Sequence, residues 1–330
     1  MNKTIFTVLT LAFLSLSTTY GQVGIGTTDP DPSAILEVDV SSLTDKKGFL
    51  PPRMNYAQRN VIGNASPAQG LTIYNTDSDC LEWWNDSAWY NACDGRFTGI
   101  IPSNTTCEAA IISATPCTAD ELNNGINGGS LGNKYDDANG GTYSVVEIGG
   151  QCWMQENIDV NPTGAPAHST NGPDTGWYGY YNNTYQAPGE GTLMQWSAAM
   201  NSSTAERAQG VCPEGWHVPS DCEWMYLENT LGMNTADQEA TNFRASGDVG
   251  NELSDFSDGG AGTNNSGFTA LPAESRNSFG SFTTDVTANF WSSTESGSGS
   301  FTRKVYNINS SVRRSTSVMA DSYSVRCLKD

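Results

Sequence analysis

A chain of 330 residues with 36 acidic and only 16 basic side chains carries a formal charge of −20 at neutral pH, which argues against nucleic acid and anionic membrane surfaces as partners. Aromatic residues make up 10% and glycine occupies 34 positions, a balance that suits a loop-rich β or α+β protein long enough for two domains. Eight cysteines, an even number, read as a disulfide framework if the chain reaches an oxidising compartment.

The first segment supplies that condition. Lys3, the apolar run from Ile5 to Leu16 and the small, polar residues Ser17 to Gly21 have the pattern of a secretory signal, with cleavage expected before Gln22. Residues 1–21 are therefore assigned to a signal peptide, and the rest to a protein that is secreted or held at the outer cell surface. No later stretch approaches the roughly 20 apolar residues of a membrane span.

Residues 22–96 read as a β-rich first module. Val23-Gly24-Ile25-Gly26 has neither the preceding strand nor the following lysine of a phosphate loop, so no nucleotide site is assigned to it. Gly70 to Asn75 is a short strand, and Cys80 to Cys93 form a hairpin whose loop lies at residues 85–88. In that register Trp84 faces Trp89 and Cys80 faces Cys93, which predicts a cross-strand Cys80–Cys93 disulfide. Val23 to Thr28, Lys47 to Met54 and the Trp-Asn hairpin resemble the N-terminal segment of many secreted Bacteroidota proteins. Some of those proteins look fibre-like, with a head or stalk that trimerises, so the resemblance implies a homotrimer formed through this module.

Residues 97–138 are polar and weakly periodic, as a linker would be. Cys107 and Cys117 have no nearer partners there and are expected to bridge each other. Long-range pairing to a flanking domain is the alternative, and it requires the linker to pack.

Residues 139–330 form the second domain. Thr142 to Ile148, the turn Gly149-Gly150 and Gln151 to Met154 read as a hairpin. The aromatic cluster Trp177, Tyr178, Tyr180 and Tyr181, followed by Asn182 and Asn183, has two readings: rings that stack on sugar faces beside amides that bond the hydroxyls, or core. Core is favoured for at least half of the rings. Met194 to Met200 predicts a short helix.

From Gly210 to Leu227 a buried turn feeds a second helix. Ser220 and Glu223 form a capping box, Pro219 and Trp224 take the hydrophobic-staple positions, Trp224, Leu227 and Leu231 share a face, and Gly232 supplies the stop. Cys212 and Cys222 with His217 between them lack the close pairing of a zinc site, and His217 reads as a structural histidine rather than a catalytic one. The polar loop with Asp255, Asp258, Asn264 and Asn265 is the calcium candidate, Asp255 and Asp258 being its best ligands. Further strands are expected at residues 289–295, 301–309 and 322–328, with Tyr323, Val325 and Cys327 on one face.

Gly149 to Asn157, Cys212 to Ser220, Gly267 to Pro272, Phe290 to Glu295 and Ser324 to Leu328, in that order, resemble the Fibrobacter succinogenes major paralogous domain. The resemblance implies a cell-surface or secreted module with a C-type-lectin-like fold. One departure is Glu274-Ser275-Arg276-Asn277, where that family usually has Gly-Tyr-Arg-Asn. Cys212 and Cys327 lie in motifs the family shows even where Cys152 and Cys222 are absent, so the resemblance also implies the pairs Cys212–Cys327 and Cys152–Cys222.

The expectation is thus an adhesin-like module that recognises a glycan or a surface protein, with Trp177, Tyr178, Asn182 and Asn183 at the ligand and no cofactor, Asp255 and Asp258 being the candidate ligands if calcium binds. Its site is expected on the loops 161–185 and 251–265, away from Cys212 and His217. The alternative is the structural tip of a trimeric fibre. An enzyme is not expected, because the formylglycine-generating activity that lectin-like folds host needs reactive thiols and every cysteine here has a structural partner in prospect.

Overall fold

The computed structural model describes residues 22–31, 33–41, 44, 48–55, 58–59, 62, 67–76, 79–84, 89–93, 97–98, 115–128, 141–160, 173–181, 189–256, 262–283, 287–306 and 310–330. The expected signal peptide, Cys107, Asn182, Asn183 and Asp258 lie outside them. Among the described residues no helix is long and apolar enough to cross a membrane.

Contacts divide the chain into two units, Met1–Pro51 and Pro52–Asp330. In the first, β1 (Val23–Ile25) and β2 (Leu36–Val38) pair in parallel. Val23, Ile25, Ile35, Leu36 and Val38 are all exposed, so this pair closes no core of its own.

The second unit opens with a five-stranded sheet, in order β3 (Arg53–Met54), β4 (Thr72–Asn75), β5 (Cys80–Trp84), β6 (Trp89–Asn91) and β7 (Phe97–Thr98). Trp84 pairs with Trp89, and Cys80 and Cys93 are joined by a disulfide. The two-residue side-chain period turns Cys80, Glu82 and Trp84 inward. Glu82 can be buried because Arg59 Nη1 at 2.8 Å and Asn75 Nδ2 at 3.0 Å donate to its carboxylate. The small core of Ile73, Trp84 and Trp89 lies entirely after Pro51. That is why the expected module 22–96 divides there.

The segment read as a linker is packed where it is described. Helix α1 (Ala119–Asn124) starts in a capping box of Thr118 and Glu121, and Lys329 Nζ reaches Glu121 at 2.7 Å. Strand β8 (Ile126–Asn127) pairs with β9 (Thr142–Tyr143), and Cys117 is bonded to Cys152, the Cα atoms 4.8 Å apart. The expected pairs Cys107–Cys117 and Cys152–Cys222 are thereby corrected: the anchored helix holds Cys117 against the strand that carries Cys152. Cys222 is itself disulfide-bonded, and Cys212 is joined to Cys327.

The remaining elements form an α+β, mainly β, domain. The hairpin β10 (Val145–Ile148) and β11 (Gln151–Met154) turns at Gly149 and Gly150, both at positive φ, and continues through β20 (Leu328–Lys329) to β14 (Trp216–His217). A second sheet joins β12 (Tyr178–Gly179), β13 (Leu193–Gln195) and β19 (Ser322–Tyr323). The third runs β15 (Asn242–Arg244), β18 (Val312–Val318), β17 (Gly299–Tyr306), β16 (Thr287–Ser296). Short helices α2 (Trp196–Ala199), α4 (Thr235–Gln238) and α5 (Val249–Leu253) flank the longer α3 (Asp221–Thr230).

Both halves of the Ser220–Glu223 capping box form at the start of α3, and Gly232 follows its end at φ +105°. Every residue of α3 except Cys222 is buried. Trp224 stacks against Trp153 at 5.0 Å and Phe290 at 5.3 Å between ring centroids, and Leu227 joins the same cluster. A helix buried on all sides must hide its polar side chains as well. Asp221, Glu223 and Glu228 are therefore the residues that need explaining.

Candidate functional site: a cationic cleft on the third sheet

Strands β17 and β18 each carry two adjacent cations, and the register sets Arg303 opposite Arg314 and Lys304 opposite Arg313. Successive side chains of a strand point to opposite faces, so one cation of each pair goes inward and one outward. The inward pair accounts for the buried acids of α3. Arg303 reaches Asp221 Oδ1 at 2.7 Å and Glu228 Oε1 at 2.6 Å, while Arg314 Nη2 lies 2.5 Å from Asp221 Oδ2. Arg244 closes the network on Glu228 through two bonds of 2.6 Å. Each of these charges is matched, which is what allows it to stay buried.

The outward face is different. Lys304 and Thr302 of β17 with Arg313, Ser315 and Ser317 of β18 line a polar cleft of about 210 Å³. Residues 275–283 form its other wall, through Ser275, Arg276, Asn277 and Thr283, and Asp321 and Tyr323 close one end. Backbone bonds in both directions between Arg276 and Ser322, at 3.1 and 2.7 Å, fix that wall to the strand of the second sheet.

Arg276 is only 9% exposed, and its guanidinium lies 4.3 Å from the Trp177 ring centroid and 5.4 Å from that of Phe282. Its Nε and Nη1 are buried without a hydrogen-bond partner, and the residue lines the cleft. Burial holds its pKa below the usual arginine range. Among the described residues neither Arg276 nor Arg313 forms an ion pair. Asp321 is already engaged: Oδ1 accepts from the Ser278 N–H at 2.7 Å, and Tyr323 Oη lies 3.3 Å from Oδ2. Burial raises the Asp321 pKa in spite of those bonds.

The residues singled out from sequence fall elsewhere. Trp177 is 6% exposed, one face covered by Arg276 and its edge met by Phe282, so it supports the cleft from beneath and offers no face to a sugar. This corrects the stacking role expected of it; a ring already stacked by a cation is not available to a ligand. Tyr178 is half-buried in β12, and the buried Tyr180 donates to Asp159 Oδ1 at 2.8 Å. Asp255 is half-buried, with its N–H bonded to Ala270 O. The neighbouring amides turn back onto the chain, Asn264 to Thr269 and Asn265 to Glu252. Among the described residues no group of three or more His, Cys, Asp or Glu side chains is placed to hold a metal.

His217 is buried between two carboxylates, with Nδ1 2.6 Å from Asp330 Oδ1 and Nε2 3.1 Å from Glu223 Oε1. Burial works against the charged ring, but the charge of Glu223 and the bond to Asp330 outweigh it and raise the pKa. Sequence reasoning missed Arg276 as a site residue, and Lys304 and Arg313 altogether. The signal present was the alternation Arg313, Ser315, Ser317, which places one basic and two hydroxyl side chains on a single strand face.

The disulfide bracing and the β-rich, modular build fit a surface or structural protein. Residues 146–329 match the Fibrobacter succinogenes major domain, and the chain belongs to that family. Residues 24–107 match a phage tail-like trimerisation region. Neither a curated protein nor a solved structure matches the chain.

Proposed function

We propose that this protein is an exported, adhesin-like binding module that recognises a glycan or a surface protein, with its C-terminal domain built on the lectin-like plan its motifs imply. The cleft on the outward face of β17 and β18 carries this reading. Hydroxyl and cationic side chains converge there between two paired strands and a segment whose Arg276 is bonded through its backbone to Ser322 of the second sheet. Binding, not catalysis, is the role assigned to it. Screening the mature chain on a glycan array tests the reading: the expected result is a defined set of glycans whose signal falls when Ser315 and Ser317 are both replaced by Val. A chain that retains no glycan and captures no surface protein would remove the reading.

The second reading, a tip on a trimeric fibre, is favoured by one observation. Ile25, Ile35, Leu36 and Val38 expose apolar side chains around the β1–β2 pair, inside the region that matches a trimerisation segment. A second and third copy of this chain would cover them. The two readings are compatible, since three linked clefts raise avidity without any new contact.

A further inference from the structure

We infer that the cleft takes a saccharide unit bearing one acidic group, a carboxylate or a sulfate, whose charge is received by Arg276 and Arg313. The inference rests on the binding-module reading and names its ligand class. The inward cations Arg303 and Arg314 are matched by Asp221 and Glu228, whereas Arg276 and Arg313 meet no described carboxylate. In a chain with 36 acids against 16 bases, carboxylates were in ample supply for that role. Arg276, 9% exposed, bears the cost of desolvating its guanidinium with two nitrogens unpartnered, and an anion in the cleft it lines offsets that cost.

The rest of the lining suits a sugar ring, because Ser275, Asn277, Thr302, Ser315 and Ser317 offer donors and acceptors spaced for hydroxyls. A cleft of about 210 Å³ lies below the roughly 300–1,000 Å³ of drug-sized sites, so it holds about one ring. Net charge sets the upper limit on acidity. A body at −20 repels a polyanion beyond the cleft, while a single acidic group approaches within a screening length of about 8–10 Å.

The test is titration calorimetry on the mature chain with four probes: an oligosaccharide ending in glucuronic acid, the same oligosaccharide ending in glucose, its singly sulfated form, and heparin. The uronate or the singly sulfated probe should bind roughly tenfold or more tightly than the neutral one, the effect of one charge-assisted hydrogen bond, and the stronger of the two identifies the acid. Heparin should bind more weakly than either. Arg313→Gln should bring the acidic probe down to the neutral level with the melting temperature little changed, since Arg313 forms no ion pair among the described residues and the ring it packs over, Phe243 at 5.7 Å, is itself exposed. Arg276→Gln, which disturbs the packing on Trp177, is read only beside that control. Equal binding of acidic and neutral probes, absence of acidic binding, or an Arg313→Gln chain that binds the acid as before would each overturn the inference. Array binding of neutral glycans in those cases would leave the binding-module reading standing.

Discussion

Asp221 and Glu228, buried acids of α3, sit against buried arginines. Glu228 receives both Arg244 and Arg303, so replacing it by Ala leaves Arg244 without a carboxylate and Arg303 with Asp221 alone. Breaking a buried pair of this kind costs about 3–5 kcal/mol, and Glu228→Ala should lose that much in denaturant unfolding. A loss under about 1 kcal/mol would show that water relieves the site. Arg326 is a different solution to the same problem. Fully buried, it donates to Met154 O, Phe268 O, Thr269 O and Asn157 Oδ1 and stacks on Phe268, with burial pulling its pKa down to about 9. Its charge persists at neutral pH, because four oxygens face the planar fork. Lysine cannot reproduce that fork, so Arg326→Lys should be nearly as destabilising as Arg326→Ala.

His217 makes stability depend on pH in a defined direction. Its folded pKa is raised above the unfolded value of about 6.5, so its contribution is fully present below that pH and is lost as pH rises through the folded value. Asp330→Asn keeps an acceptor for Nδ1 but removes its negative charge at an exposed position, and should move the imidazole titration, followed by NMR, to lower pH. An unmoved titration would mean that Glu223 alone holds the proton. The sequence marked His217 as structural from its apolar neighbours, but both of its partners came from folding, one of them 113 residues away.

Among the elements, α3 was the most legible because its start is a local device. Ser220 and Glu223 are three residues apart and satisfy each other's amides whatever surrounds them. Ser220→Ala should cost about 0.5–2 kcal/mol in thermal or chemical unfolding, with an unchanged fold. The hairpins at Gly149-Gly150 and between Trp84 and Trp89 were legible for the same reason, since turn chemistry and cross-strand partners lie within a few residues. Strand β18 was not. Its inward arginine is apolar in no scale, and only the acids of α3 make it a core residue.

Disulfides divide along the same line. Cys80–Cys93 follows from hairpin register, whereas Cys117–Cys152 depends on α1 docking beside Lys329. Peptide mapping without reduction should recover Cys117 joined to Cys152; recovery of Cys117 joined to Cys107 would contradict the packing of α1.

At the scale of the molecule, the Cys117–Cys152 bridge ties α1 to the second domain. A fragment of residues 115–330 should unfold in one cooperative transition at a higher temperature than a fragment of residues 139–330, which lacks α1 and leaves Cys152 unbridged. Equal midpoints would make the segment dispensable. The exposed apolar residues of β1 and β2 make a separate prediction about assembly: light scattering on the mature chain should give a trimer, and Ile25→Lys with Leu36→Lys should give a monomer with the C-terminal domain still folded. A monomer in both cases would leave that surface without its partner.

Local rules determined what the sequence shows by itself: the family motifs, the capped helix, the tight hairpins, and an acidic, cysteine-braced composition. Each depends on residues within about one turn or one hairpin of each other, or on totals that folding does not change. The cleft was decided by tertiary structure alone. Arg276, Lys304, Arg313 and Asp321 meet only because two strands align in one register and a distant loop is bonded to the adjoining sheet. Trp177 shows the same limit from the other side: the sequence singles it out of a mostly core cluster as the ligand platform, and the guanidinium that covers it lies 99 residues further along the chain.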